Sequence, residues 1–255
     1  MILIMSYREQ SYEQFIRNYK ENNFVQSYYK TRHLSNKLLE EQLVGFCPIF
    51  SRYEFPLLRG RLIVPIYDVH DNLLALAGRQ IPELKDQVYN AFWEVFGHEP
   101  AKCQDRINKW VKGKWLNEPY QRNKNLFFLN KAKNYAREKN YLLLVEGYFD
   151  VYSFYDNGLC NISALCGTSI SEHQIVLASR YCDNLVLIMD SDDAGNIAAK
   201  KIIEKITELE MNAFQVILPS GMDPDDFAKN YDLDFLDKAV QDMIQSNKKK
   251  LIIKG

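Results

Sequence analysis

Apolar and polar positions follow two regimes along the chain. In the second half, short continuous apolar runs alternate with amphipathic stretches. Residues 141–145, 161–164, 185–189 and 213–218 read as buried strands, and residues 147–157, 171–181 and 194–211 as the helices between them. Strict strand-helix alternation predicts an α/β unit with a mostly parallel sheet. Two of the runs end abruptly in acid: Val145 is followed by Glu146-Gly147, and Met189 by Asp190-Ser191-Asp192-Asp193-Ala194-Gly195. Ligands of open α/β sheets lie beyond the carboxyl ends of the strands, so Glu146, Asp190 and Asp192 are expected on one rim. Residues 219–227, with Asp223 and Asp225, read as another acidic loop there. A closing helix is expected over 232–245 and a flexible lysine-rich tail over 246–255.

The first half is α+β in pattern. Residues 7–29 read as a helix, with Tyr12, Phe15, Ile16 and Tyr19 on one face, and residues 34–40 as a second with Ser35 as N-cap. Residues 44–48 read as a turn. Residues 61–68 and 73–79 read as an antiparallel hairpin, which would bring Arg59, Arg61 and Arg79 together. Guanidinium forks suit phosphate, although any one surface arginine is as readily a solvated charge. Residues 82–111 carry a helical pattern in Val88, Phe92, Val95 and Phe96, broken at 97–100, with no chemistry assigned. From Lys109 to Pro119, cations including Lys112 and Lys114 interleave with Trp110 and Trp115, which suits nucleic acid as well as it suits core packing.

Charge separates the two halves. Residues 1–140 hold 22 Lys+Arg against 15 Asp+Glu, and the remaining residues 10 against 18, although the 255-residue chain totals −1. A basic module over 1–140 and an acidic one over 141–245 follow, suited to a polyanion and a cation respectively. Clustered carboxylates repel unless a cation lies among them. Oxygen donors with no paired His or Cys indicate Mg²⁺ (or Mn²⁺). The five cysteines are scattered without a CxxC pair, so neither a disulfide framework nor zinc is expected in this chain. No run reaches the roughly 20 apolar residues that cross a bilayer, which makes a cytoplasmic location the default.

Four segments in order resemble the signature of a Toprim domain: Glu146-Gly147-Tyr148-Phe149-Asp150, the Gly167-Thr168 loop, Asp190-Ser191-Asp192-Asp193-Ala194-Gly195, and Gly221-Met222-Asp223-Pro224-Asp225-Asp226. Upstream, Arg59-Gly60-Arg61 with the strand that follows, Ala77-Gly78-Arg79, and Lys114-Trp115-Leu116-Asn117-Glu118-Pro119 resemble motifs of the RNA polymerase core of bacterial and phage DnaG-type primases. The resemblance implies a Rossmann-like Toprim sheet with helices on both faces. It implies a nucleotidyltransferase that makes short RNA primers on single-stranded DNA during replication, with Glu146, Asp190 and Asp192 as catalytic residues. Glu146, Asp150, Asp190, Asp192, Asp223 and Asp225 would hold the metal, while Arg59, Arg61, Arg79, Lys114 and Asn117 would bind ribonucleoside triphosphates or template.

The chain departs from the pattern in two places. Ser191 stands where Gly is usual, and Asp193 where a basic residue is frequent. Asp193 and Asp226 are read as capping or solvated acids. No Cys/His set for a zinc ribbon is present, so a minimal core working with a separate zinc-domain protein or replicative helicase is expected, as in a phage or organellar replication complex. The competing readings are another Toprim enzyme, a nuclease or small topoisomerase, and a non-catalytic replication adaptor.

Overall fold

The computed structural model describes residues 6–52, 55–96, 105, 108, 111 and 113–253. Expectations for residues 97–100 and for Cys103, Lys109, Trp110 and Lys112 lie outside the described residues. Two compact units emerge, Met1–Ile66 with Leu73–Tyr120, and Tyr67–Asn72 with Gln121–Gly255. The division therefore falls at 120/121 rather than 140/141, because the helix over Leu129–Lys139 buries Leu129, Ala132 and Ala136 in the core of the second unit.

In the first unit, α1 (Tyr7–Glu21) and α2 (Asn23–Lys30) replace the single expected helix. Asn22 causes the break: it caps the end of α1 with extended backbone, and its side chain accepts from Val25 N at 3.1 Å to start α2. Ser35 caps α3 (Asn36–Glu41) as expected. The sheet runs β1 (Gly45–Cys47), β2 (Arg61–Tyr67), β3 (Leu73–Gln80), β4 (Trp115–Asn117) in spatial order. The residues read as a turn at 44–48 thus include a strand, antiparallel to β2 with Cys47 opposite Arg61. Gly45 is what lets α1 lie directly on it, since a Cβ there would stand 2.9 Å from Phe15 Cβ. The core gathers Tyr12, Phe15, Cys47, Leu58, Ile63 and Leu76. Helix α4 (Lys85–Phe96) follows the sheet's second hairpin strand.

The second unit holds a parallel five-stranded sheet in the order β6 (Ile162–Ala164), β5 (Tyr141–Val145), β7 (Asn184–Ile188), β8 (Asn212–Ile217), β9 (Lys250–Ile252). Side chains alternate between its faces. Leu142, Leu144, Leu185, Leu187 and Ala213 pack with α5 (Leu129–Lys139), α7 (Glu172–Ala178) and α8 (Asp193–Glu208). Tyr141 instead hydrogen-bonds Asp237 of α10 (Leu233–Gln245), on the face also covered by α6 (Tyr148–Asp156) and α9 (Pro224–Asn230), whose Phe154 and Phe227 stack at 6.3 Å. Strand β9 corrects the expected flexible tail: Lys250, Leu251 and Ile252 pair with Gln215, Val216 and Ile217, and the Lys249 ammonium sits 4.5 Å from the Phe214 ring centroid. No described helix is long and apolar enough to cross a membrane.

Candidate active site

Chain order within the parallel sheet reverses between β5 and β7. The chain leaves β5 for β6 on one side and returns to β7 on the other, which opens a crevice at the carboxyl ends of β5 and β7. Glu146 follows β5 directly, Asp190 follows β7, and the Asp223 loop follows β8. Each of the three acidic segments also begins a helix. Unpaired N–H groups and the positive dipole end at a helix start attract negative charge, so the fold stations carboxylates where the backbone itself stabilises them.

Local hydrogen bonds aim these acids. Asp192 caps α8 by accepting from Gly195 N at 2.7 Å, and Asp223 caps α9 by accepting from Asp226 N at 2.7 Å. Capping thus falls to Asp192 and Asp223 rather than to Asp193 and Asp226, which lie in the first turns, because the cap residue must precede the first helical residue. Asp150, third in α6, reaches back to Gly147 N at 2.8 Å. Gly195 is required where it stands: a Cβ would lie 2.2 Å from the Asp190 carbonyl oxygen. The Ser191 hydroxyl accepts from Met222 N at 2.9 Å and joins the two acidic loops.

The acids feel one another. Burial raises the proton affinity of the half-buried Glu146 carboxyl, and the charges of Asp190 and Asp192 raise it further. Asp150 retains some exposed surface, but its carboxyl is enclosed. Burial, then the charges of Asp225, Asp190 and Asp223, outweigh the Gly147 hydrogen bond and push it up to about 7. Asp225 differs from the rest. It is 6% exposed, its Oδ1 meets Ser153 Oγ of α6, and its Oδ2 pairs with Lys229 Nζ at 2.6 Å. Among the described residues no three His, Cys, Asp or Glu side chains are drawn together as a ready metal cage. The donor chemistry nevertheless fits a hard divalent cation: oxygen ligands only, from three loops of one rim, with mutual repulsion that such an ion would relieve.

The basic candidates of the first unit divide. Arg61 is 3% exposed and donates to the carbonyls of Gly78 (3.3 Å) and Gly113 (2.9 Å). Burial, with the charge of Arg79, lowers its pKa to about 10. Its Nη1 brackets two backbone segments and the side chain is enclosed, unlike the open phosphate fork expected. Arg79 is also buried, with its guanidinium 5.4 Å from the Trp115 ring centroid. Arg59 and Asn117 are half-buried and Lys114 is exposed.

Arg122 belongs to no motif in the sequence. It donates to Cys166 O at 2.8 Å and lies so close to Gly167 that a Cβ there would stand 3.0 Å from its guanidinium. Cys166 N in turn donates to Glu146 O at 3.0 Å, so this exposed cation belongs to the acidic rim. Only the folded chain brings Arg122 to residues 166 and 167; no sequence signal announced it. Lys229 had one, its i,i+4 spacing from Asp225.

Residues 143–228, which include the acids after β5, β7 and β8 of the parallel sheet, match the family described as Toprim-like. The matched residues lie wholly within the second unit. The DNA primase of Aquifex aeolicus (strain VF5) is 28% identical over 225 residues, 87% of this chain and 38% of that protein. The DNA primase of Staphylococcus epidermidis (strain ATCC 12228 / FDA PCI 1200) is 36% identical over 137 residues, 52% of this chain and 23% of that protein. The solved Aquifex aeolicus primase, comprising zinc-binding and RNA polymerase domains, superposes with TM-score 0.70 at 24% identity, covering 95% of this chain and 62% of that one. The E. coli primase catalytic core gives 0.69 at 21% identity, covering 93% and 81%. The fold of this chain is that of a DnaG-type primase catalytic core.

Proposed function

We propose that the chain is the catalytic core of a DNA primase, a nucleotidyltransferase that joins ribonucleoside triphosphates on a single-stranded DNA template. The observation that carries this reading is the convergence of Glu146, Asp190, Asp192 and Asp223 on the rim beside the β5/β7 crevice. In primer synthesis a 3′ hydroxyl attacks an α-phosphorus and pyrophosphate leaves. Asp190, Asp192 and Asp223, with Glu146, would hold Mg²⁺ (or Mn²⁺), which when bound neutralises charge developing on the phosphoryl oxygens.

The chain's own groups supply the rest. Glu146 either helps hold the ion or, where no ion occupies its carboxylate and its proton affinity is raised, receives the proton of the attacking hydroxyl. Asp150 ties the start of α6 to Gly147. Arg122 offers a guanidinium to phosphate next to Glu146, and Arg59, Arg79, Lys114 and Asn117 bind nucleotide or template. A separate zinc-domain protein or helicase would raise template selectivity.

The test is incubation with single-stranded DNA, labelled ribonucleotides and Mg²⁺ or Mn²⁺, with and without chelator. Short RNA products that vanish with chelator, and in the Asp190→Asn/Asp192→Asn variant, are expected. DNA hydrolysis without RNA synthesis would instead mark a nuclease of the same superfamily.

A further inference from the structure

We propose that Asp225 is a positioning residue that locks α9 against α6, leaving the divalent cations to Glu146, Asp190, Asp192 and Asp223. This rests on the metal-dependent reading of the rim given above. Both oxygens of Asp225 are engaged by side chains, Oδ1 by Ser153 Oγ and Oδ2 by the Lys229 ammonium at 2.6 Å. The site is closed: the Lys229 side chain is 13% exposed, that of Asp225 8%, and Ser153 not at all. Asp192 and Asp223 are held differently, each giving one oxygen to a neutral backbone N–H. An ammonium already seated on a carboxylate repels a second cation, whereas an amide donor leaves the carboxylate's charge uncompensated.

The position of the pair explains its use. Ser153 lies on α6, the helix that follows Glu146, and Asp225 and Lys229 lie on α9, the helix that Asp223 caps. Phe154 and Phe227, each the next residue or two along, stack at 6.3 Å across the same helix pair. The Ser153–Asp225–Lys229 contact therefore sets where the start of α9, and with it Asp223, stands relative to the Glu146 strand end.

Two measurements on the purified full chain decide the matter: thermal melting in chelator, and the number of Mn²⁺ ions bound by titration followed by electron paramagnetic resonance. A repelling ligand and a paired anchor answer neutralisation with opposite signs. Asp190→Asn should leave the metal-free protein as stable or more so while reducing Mn²⁺ binding. Asp225→Asn should lower the metal-free melting temperature by about 5 °C or more, because Lys229 is left buried and unpaired, with the number of bound ions unchanged. Asp225→Asn/Lys229→Met should recover part of that loss. Lys229→Met alone, which leaves the Asp225 carboxylate buried without its ammonium, should also melt lower in chelator. The proposal is overturned if Asp225→Asn stabilises the metal-free protein or if it binds fewer ions than the parent. A parent chain that binds Mn²⁺ but makes no RNA would sink the primase reading and leave this assignment standing; one that binds no Mn²⁺ overturns both.

Discussion

Ser191 and Met222 are 31 positions apart in sequence, yet the Ser191 hydroxyl accepts the Met222 N–H at 2.9 Å, and Ser191 N approaches Met222 O at 3.4 Å. The loop that carries Asp190 and Asp192 is thereby braced to the loop that carries Asp223. A glycine at 191, the residue usual in the resembled pattern, lacks this side-chain acceptor. Ser191→Gly is expected to cost about 1 kcal/mol, or roughly 2–4 °C in melting temperature, and to raise the Mn²⁺ concentration needed for half-maximal synthesis. Thermal melting and metal titration check both effects; an unchanged metal requirement would mean that the brace does not aim Asp223.

Stability of the metal-free protein should fall as pH rises. The Asp150 carboxyl, ordinarily at 3.8, is pushed up to about 7. The folded state therefore holds a proton that the unfolded state has released across that window. Its contribution is fully present below the ordinary value and is lost as pH climbs through about 7, with Glu146 acting in the same direction. Unfolding midpoints measured in chelator from pH 4 to 8 should show this decline. Asp150→Asn keeps an acceptor for Gly147 N and should flatten it, and added Mg²⁺ should offset it.

Gly195 tolerates no side chain. Its missing Cβ would lie 2.2 Å from the Asp190 carbonyl oxygen, a backbone atom that cannot swing aside. Gly195→Ala should destabilise the protein by about 2 kcal/mol or more and reduce primer synthesis at least tenfold by displacing Asp190. Gly147→Ala, where the Cβ would meet the Asp150 Oδ2 at 3.0 Å, should be milder. Equal losses at the two positions in chemical denaturation and activity would contradict this account.

Arg122 should affect binding more than stability. Its side chain is exposed, so Arg122→Ala should shift the melting temperature by no more than about 2 °C, the range of ordinary surface substitutions. The expected change is a higher KM for ribonucleotide, with Arg122→Lys intermediate because a point charge replaces a fork. Filter binding of single-stranded DNA in parallel separates a triphosphate contact from a template contact.

Much of the second unit was legible because a parallel strand buried on both faces needs an uninterrupted apolar run, and residues 141–145 and 185–189 supply it with acids immediately after. Strand β9 is hidden by its lysines, since a three-residue edge strand is held by its ladder to β8 and needs little apolar character of its own. Helix α9 looks like a loop in sequence because Pro224 and three acids resemble a breaker, whereas proline at the first helical position costs nothing in hydrogen bonds. The helix break at Asn22 rested on a side-chain cap that the apolar periodicity of residues 7–29 masks.

Periodicity and the abrupt change from apolar to acidic by themselves determined the strand-helix alternation and the carboxylates at the strand ends, since both depend on near neighbours in the chain. Only the tertiary structure decided which charges are spent. Arg61 is buried with its Nη1 on the carbonyls of Gly78 and Gly113, Asp225 is held by Lys229 and Ser153, and Arg122 is brought to the Cys166–Gly167 turn beside Glu146. A charged residue looks the same in sequence whether it faces water, a partner or a ligand; burial and the distance to its neighbours make the difference, and these arise only when remote segments pack.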